Sequence, residues 1–253
     1  MDKIEVAILN PESIADSQRM MITGAKLTQR GHKIKNMSDF MGIYNISPKK
    51  EIVSNLVSLP HPTIQKLGVI NVVVVGASRR FLAQITRHQN EVKFVSASLQ
   101  YSDYSDNGDF CVPYDIIEMG SDAIEEYLSI NRSAMQAYKD GVEAGLDNDA
   151  AGYLAPQGLR NVLIISATPY QWIHMIRQRT CRRNTKETRF VMLLIWEQLF
   201  KCSPEWFEIA GPFCTRGPCE EKRFCCKNPL GSYPKPSDIL KTDFPLIYKC
   251  KEG

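Results

Sequence analysis

The sequence predicts an α+β protein with a loop-rich C-terminal extension. Two β-branched runs, residues 70–75 and 162–167, are long enough for central strands. Segments with helical apolar spacing lie around them, and proline and cysteine crowd the chain from Cys202 onward.

Residues 4–9 read as an opening strand, ended by Asn10-Pro11. Ser13 or Asp16 is positioned to cap a helix running to about Gln29, which Gly31 closes. Residues 36–46 read as a connector. Ser47-Pro48 then starts a helix to about Ser58, broken by Pro60-His61-Pro62-Thr63. After the strand at 70–75, Gly76-Ala77-Ser78-Arg79 turns into a helix to about His88. Residues 101–113, rich in Asp, Ser, Asn and Gly, read as loop. Ile124, Tyr127, Leu128, Ala134 and Tyr138 give helical spacing over 121–145, and another helix follows a break at 145–149 and leads into Ala155-Pro156-Gln157. Beyond the second strand, Pro169 begins a long helical region to about Phe200. The chain therefore divides into a main unit, 1–201, and a Cys-rich extension, 202–253.

At 253 residues, 43% hydrophobic and 23% charged, the chain can bury a full core. Its net charge of +3 implies no strong polyanion field, and no aromatic-basic module for nucleic acid is visible. No apolar run reaches membrane-spanning length and the charged N-terminus does not read as a signal peptide, so a cytoplasmic location is expected. Eight cysteines in that setting argue against a disulfide scaffold.

Chemistry-bearing residues concentrate in two places. Arg87-His88-Gln89 is followed by Phe94-Val95-Ser96-Ala97-Ser98-Leu99-Gln100-Tyr101, so cation, imidazole, hydroxyl and aromatic sit close together. A phosphorylated planar ligand needs that combination of forked cations and directional donors. In the second half, Arg160 precedes the strand, and His174, Arg177 and Gln178 share a helical face ahead of Arg179. Alone, the first cluster reads equally well as a solvated basic face, and the second reads more readily as a surface helix with a core Trp.

Taken in order, these segments resemble the flavin-dependent thymidylate synthases. That family's signature is an Arg-His-Arg triplet followed by a Ser and a Ser-x-Arg-Tyr ending. Here Arg87, His88, Ser98 and Tyr101 stand in place, with Gln89 and Gln100 where arginines are usual. Gly76-Ala77-Ser78-Arg79 resembles the family's Gly-x-Ser-Arg turn, and His61-Pro62-Thr63 its His-x-Ser/Thr loop. His174, Arg179, Glu187 and Arg189 fall at the offsets of the family's later helix and Gln-x-Glu-Ile-Arg element. The resemblance covers roughly residues 55–215.

It implies a central, mostly antiparallel sheet flanked by helices, in a homotetramer whose sites are shared between subunits. It implies FAD held by Thr63, Arg87, His88, Gln89 and His174, and dUMP held by Gln84, Ser98, Gln100, Tyr101, Arg160 and Arg179, with Ser98 and Arg179 at the chemistry. The activity implied is reductive methylation of dUMP at C5 to dTMP, with methylenetetrahydrofolate (a folate) and NADPH as co-substrates and no cysteine nucleophile. Gln89 and Gln100 remove two charged forks, each loss weakening polyanion binding by roughly 1 kcal/mol or more. They leave room for two further readings, flavin-dependent C5 modification of another pyrimidine nucleotide and a catalytically silent nucleotide-binding relative.

Cys202, Cys214, Cys219 and Cys225 form a short-spaced set that suggests either a structural zinc site or free thiols. Cys111, Cys181 and Cys250 read as ordinary thiols. Trp196 and Trp206 read as packing residues.

Overall fold

The structure, a computed structural model, describes residues 1–248. In chain order its elements are β1 (Glu5–Ile8), α1 (Glu12–Arg30), α2 (Met37–Tyr44), α3 (Lys50–Ser58), β2 (Ile70–Ser78), α4 (Arg79–Ile85), β3 (Val92–Ser96), α5 (Tyr114–Met119), α6 (Ser121–Glu143), α7 (Asn148–Ala151), β4 (Arg160–Ala167), α8 (Pro169–Arg179), α9 (Lys186–Cys202), α10 (Pro204–Phe207), α11 (Pro236–Asp243) and α12 (Pro245–Tyr248). The strands form one sheet in the order β1-β2-β4-β3, every neighbouring pair antiparallel. The expected α+β fold with an antiparallel sheet is the one observed.

Alternation along the strands divides the sheet into two faces. Ile70, Val72 and Val74 of β2 and Leu163, Ile165 and Ala167 of β4 are buried and belong to the main apolar core. The opposite face carries Val75 beside Val162 and Val95 beside Ile164, and all four are exposed. A second, smaller core gathers Phe110, Met135, Tyr138, Ala151 and Leu159 around α6. The C-terminal tail shares the main core through Trp206, Phe207, Leu240, Phe244 and Ile247, and Trp196 is buried there too.

Local chemistry moved several expected boundaries. Residues 37–44 are helical because Asn36 accepts the amide of Asp39 at 3.0 Å while the Asp39 carboxylate accepts the amide of Lys35 at 2.9 Å, a two-way cap. Neither Ser13 nor Asp16 caps α1, which starts at Glu12; the Ser13 hydroxyl instead donates to Asn10 O at 2.7 Å and Val69 O at 3.1 Å. The short edge strand β3 was hidden inside the signature segment. The helical region after Pro169 is two helices, because Asn184 donates to Gln178 O at 2.8 Å and ends the first one. The expectation for Cys250 lies outside the described residues. No helix among them is long and apolar enough to cross a membrane.

Candidate functional site

The site grows from the end of β2. Between Val75 and Ala77 the register shifts, and Gly76 takes φ +83°, a left-handed conformation that costs glycine little. A Cβ there would lie 2.9 Å from both the Arg160 guanidinium and Lys3 O. This bulge aims Ser78 at α9: its amide and hydroxyl donate to the two oxygens of Glu187 at 2.7 and 2.6 Å. The Ser78 hydroxyl also caps α4 by accepting the Phe81 amide at 3.1 Å. The thiol of Cys111 donates to Glu187 at 3.3 Å, and burial together with that carboxylate pushes it up to about 12, so it is inert at neutral pH.

Beyond α4 lies His88, buried, with Arg179 against it. Arg179 Nε donates to His88 Nε2 at 2.8 Å, its NH2 donates to Gln84 O at 2.9 Å and its NH1 to Asn184 Oδ1 at 3.2 Å. His174 approaches His88 edge to face, 6.1 Å between ring centres. Burial, then the charge of Arg179, then His174 lower the His88 pKa to about 4, so the ring is neutral at pH 7. His174 is lowered as well, by burial and by Arg177.

Helix α8 is fixed by Thr168, which accepts the Gln171 amide at 3.2 Å, and by Trp172, whose indole donates to Ile70 O at 3.0 Å. With Trp172 and Ile176 buried, His174 and Arg177 face a cavity of about 540 Å³ that Gln65, Tyr170, Arg216 and Tyr233 also line. Burial and the like charge of Arg216 hold Arg177 down to about 10. The Nε atoms of both arginines are buried without a hydrogen-bond partner among the described residues. Two unsatisfied guanidinium donors beside an aromatic ring and an imidazole suit phosphate oxygens and a planar ring, in a space within the usual size of a small-molecule site. The donor set therefore fits a dinucleotide cofactor such as FAD.

A second cavity, about 570 Å³, is lined by Arg79, Ser98, Gln100, Tyr153, Gln157 and Asp149, among others. Arg79 is the one basic residue of its lining, beside the neutral amides of Gln100 and Gln157.

Of the residues singled out from sequence, the fold brings His88, Arg179, His174 and the backbone of Gln84 into one cluster, and Ser98 and Gln100 into one cavity. Thr63, Arg87, Gln89 and Tyr101 are exposed and line neither cavity. Arg160, also outside both linings, is buried, donates to Gly76 O at 2.7 Å and lies 3.2 Å from Asp109. The sequence reading missed Arg216, Tyr170 and Tyr153 as lining residues; Arg177 was legible from its spacing to His174. Cys202 stands exposed at the end of α9, away from the cavity that Cys214 and Cys219 line.

The family model described as thymidylate synthase complementing protein matches residues 12–205. The chain belongs to that family. Flavin-dependent thymidylate synthase from Geobacter sulfurreducens is 25% identical over 179 residues, covering 69% of this chain and 75% of that one. The enzyme of the same name from Nitratidesulfovibrio vulgaris is 28% identical over 170 residues, 64% and 67% of the two chains. The UMP/dUMP methylase PolB from Streptomyces cacaoi, solved bound with 5-Br dUMP, superposes with a TM-score of 0.65 at 15% identity, covering 82% of this chain and 94% of that one. Thymidylate synthase X from Helicobacter pylori, solved with FAD and dUMP, gives 0.60 at 14%, covering 82% and 98%. These two likenesses establish the fold of this flavin-dependent thymidylate synthase family member.

Proposed function

We propose that this chain methylates a pyrimidine nucleotide at C5, most simply dUMP to dTMP, using FAD, methylenetetrahydrofolate and NADPH. The observation that carries the proposal is the Arg179–His88–His174 cluster beside a cavity holding two unsatisfied arginines. When bound, the flavin supplies the reducing equivalents. The chain's own residues bind and orient. Arg177, Arg216 and His174 hold the cofactor, with Thr63, Arg87, His88 and Gln89 completing its site. Ser98, Gln100 and Arg79 hold the nucleotide, its phosphate on Arg79 and its uracil on the amides, with Gln84 and Tyr101 beside them. Arg179 is placed at the reacting pair with its guanidinium direction fixed by His88, and Arg160 supports the nucleotide side by holding the Gly76 bulge. Residues 1–201 carry most of the site and the Cys-rich extension, 202–253, adds Arg216 to the cofactor side while sharing the core.

The chain is assigned as a homotetramer. The exposed Val75, Val95, Val162 and Ile164 form an apolar sheet face of the kind that interfaces cover. The exposed Arg87, Gln89 and Tyr101 are available to a site completed by a neighbouring copy. The seven described cysteines are all free, which fits a reducing cytoplasm.

The neutral Gln100 in the second cavity favours a second reading, in which UMP or another pyrimidine nucleotide is the substrate; PolB, the UMP/dUMP methylase of the same fold, is its precedent. Anaerobic incubation of the flavin-loaded protein with methylenetetrahydrofolate, NADPH and either dUMP or UMP decides between them by product mass. A methyl-sized gain on dUMP alone supports thymidylate synthesis, and a gain on UMP supports the second reading. No gain on either, in protein that retains flavin, overturns both.

A further inference from the structure

The tail cysteines do not act alone. Cys181, in the loop between α8 and α9, lines one small cavity together with Cys214, Cys219 and Cys226. That cavity measures about 10 Å³, room for one atom-sized occupant. The loop and the tail are separate stretches of chain, and four cysteines from both converge on it.

Backbone amides point at several of the sulfurs in this region. The amide of Arg183 hydrogen-bonds toward Cys181, that of Glu221 toward Cys219, and that of Lys227 donates to Cys225 at 3.3 Å. Each donor is the residue two positions after its cysteine. Lys227, one of these donors, takes φ +57°, a conformation unusual outside glycine. Three sulfurs thus receive amide protons, and two of them, Cys181 and Cys219, line the cavity.

We propose that Cys181, Cys214, Cys219 and Cys226 bind one tetrahedral divalent metal ion of the zinc class, closing the α8–α9 loop onto the tail. Four sulfur ligands select zinc among the common divalent ions, and the cavity is too small for an iron–sulfur cluster. As each sulfur binds, its thiol proton passes to solvent. Among the described residues no group of three or more His, Cys, Asp or Glu side chains stands placed to hold a metal ion; binding here requires the thiols to turn toward the cavity they line. Cys225, whose sulfur hydrogen-bonds to Cys219, stays outside the ligand set and so does Cys202. The site corrects the spacing-based set in two places, Cys181 for Cys202 and Cys226 for Cys225. Cys181 lies two residues after Arg179, so an occupied site would anchor the loop that follows that side chain.

The test uses the full chain, purified under reducing conditions without chelator. Bound metal is measured by plasma mass spectrometry, and cobalt(II) uptake by the apoprotein is followed through its sulfur-to-metal charge-transfer band. The expected result is one zinc per chain in the wild type and in Cys202→Ser and Cys225→Ser, and a loss of at least tenfold in Cys181→Ser and Cys226→Ser. Should the latter two fail to fold, a tetrahedral, thiolate-type cobalt spectrum in wild type and Cys202→Ser still supports the site. Wild-type protein that neither contains zinc nor takes up cobalt overturns the proposal. So does metal that survives Cys181→Ser, or that leaves with Cys202→Ser.

Discussion

Arg179 Nε donates a hydrogen bond of 2.8 Å to His88 Nε2, a bond that exists only while that nitrogen carries no proton. The folded pKa of about 4 lies below the ordinary value of 6.5, so between these values the unfolded chain holds a proton that the folded one does not. Stability is then full above about pH 6.5 and falls as pH drops toward 4, by about 3 kcal/mol at most from this residue. His88→Gln, which keeps an acceptor but cannot titrate, should flatten the difference in urea midpoint between pH 7 and pH 5. An unchanged pH dependence would remove His88 from this role.

Arg179→Ala should lower kcat/KM by about 10²-fold or more and destabilise the fold by roughly 1–3 kcal/mol, because His88 Nε2, Gln84 O and Asn184 lose their donor together. Arg179→Lys restores charge without the fork and should recover little activity. Full turnover in the Ala variant would sink the assignment.

Arg177→Met removes one of two like charges in the 540 Å³ cavity. The apoprotein should be no less stable, while flavin affinity falls about tenfold or more through lost charge-assisted bonds. Fluorescence titration with FAD alongside thermal melting separates the two effects; a matched loss in both would mean the residue is structural.

Gly76→Ala should cost about 1–3 kcal/mol in urea unfolding, since the left-handed backbone and the 2.9 Å approach of Arg160 and Lys3 O leave no place for a methyl group. A neutral outcome would show that the bulge relaxes freely.

Val95, 67% exposed on the open sheet face, should tolerate lysine within the folded monomer. Val95→Lys should nonetheless shift the species seen by light-scattering chromatography from tetramer to smaller forms and reduce activity. A tetramer that persists with Val95→Lys and Ile164→Lys combined would place the interface elsewhere.

Much of the fold was legible in the sequence because the two central strands are dense in β-branched residues and the helices are strongly periodic. β3 was not, since only five residues alternate and the functional signature overlaps them. The break between α8 and α9 depends on one side chain, Asn184, folding back on Gln178 O, which no periodicity reports. At the site, Arg177 followed from its spacing to His174. Arg216 did not, because only tertiary packing brings the tail to α8. Arg160 looked like a ligand-binding cation, yet Asp109 and Gly76 O occupy it, both distant in sequence. The cysteine spacing likewise pointed to Cys202, whereas the small cavity of the tail is lined by Cys181 with Cys214, Cys219 and Cys226.

Asp243 of α11 accepts two hydrogen bonds from Arg182, at 3.0 and 2.7 Å, and another from Arg189 of α9. One carboxylate thereby clamps a guanidinium of the loop that follows Arg179 to one of α9. During synthesis, α8 and α9 leave the ribosome well before Asp243 does, and until it arrives Arg182 and Arg189 lack the carboxylate that pairs with them in the fold. The candidate active centre is therefore finished late, by a carboxylate that lines neither cavity. Shortening the tail should be felt first as slow or failed maturation of the nascent protein.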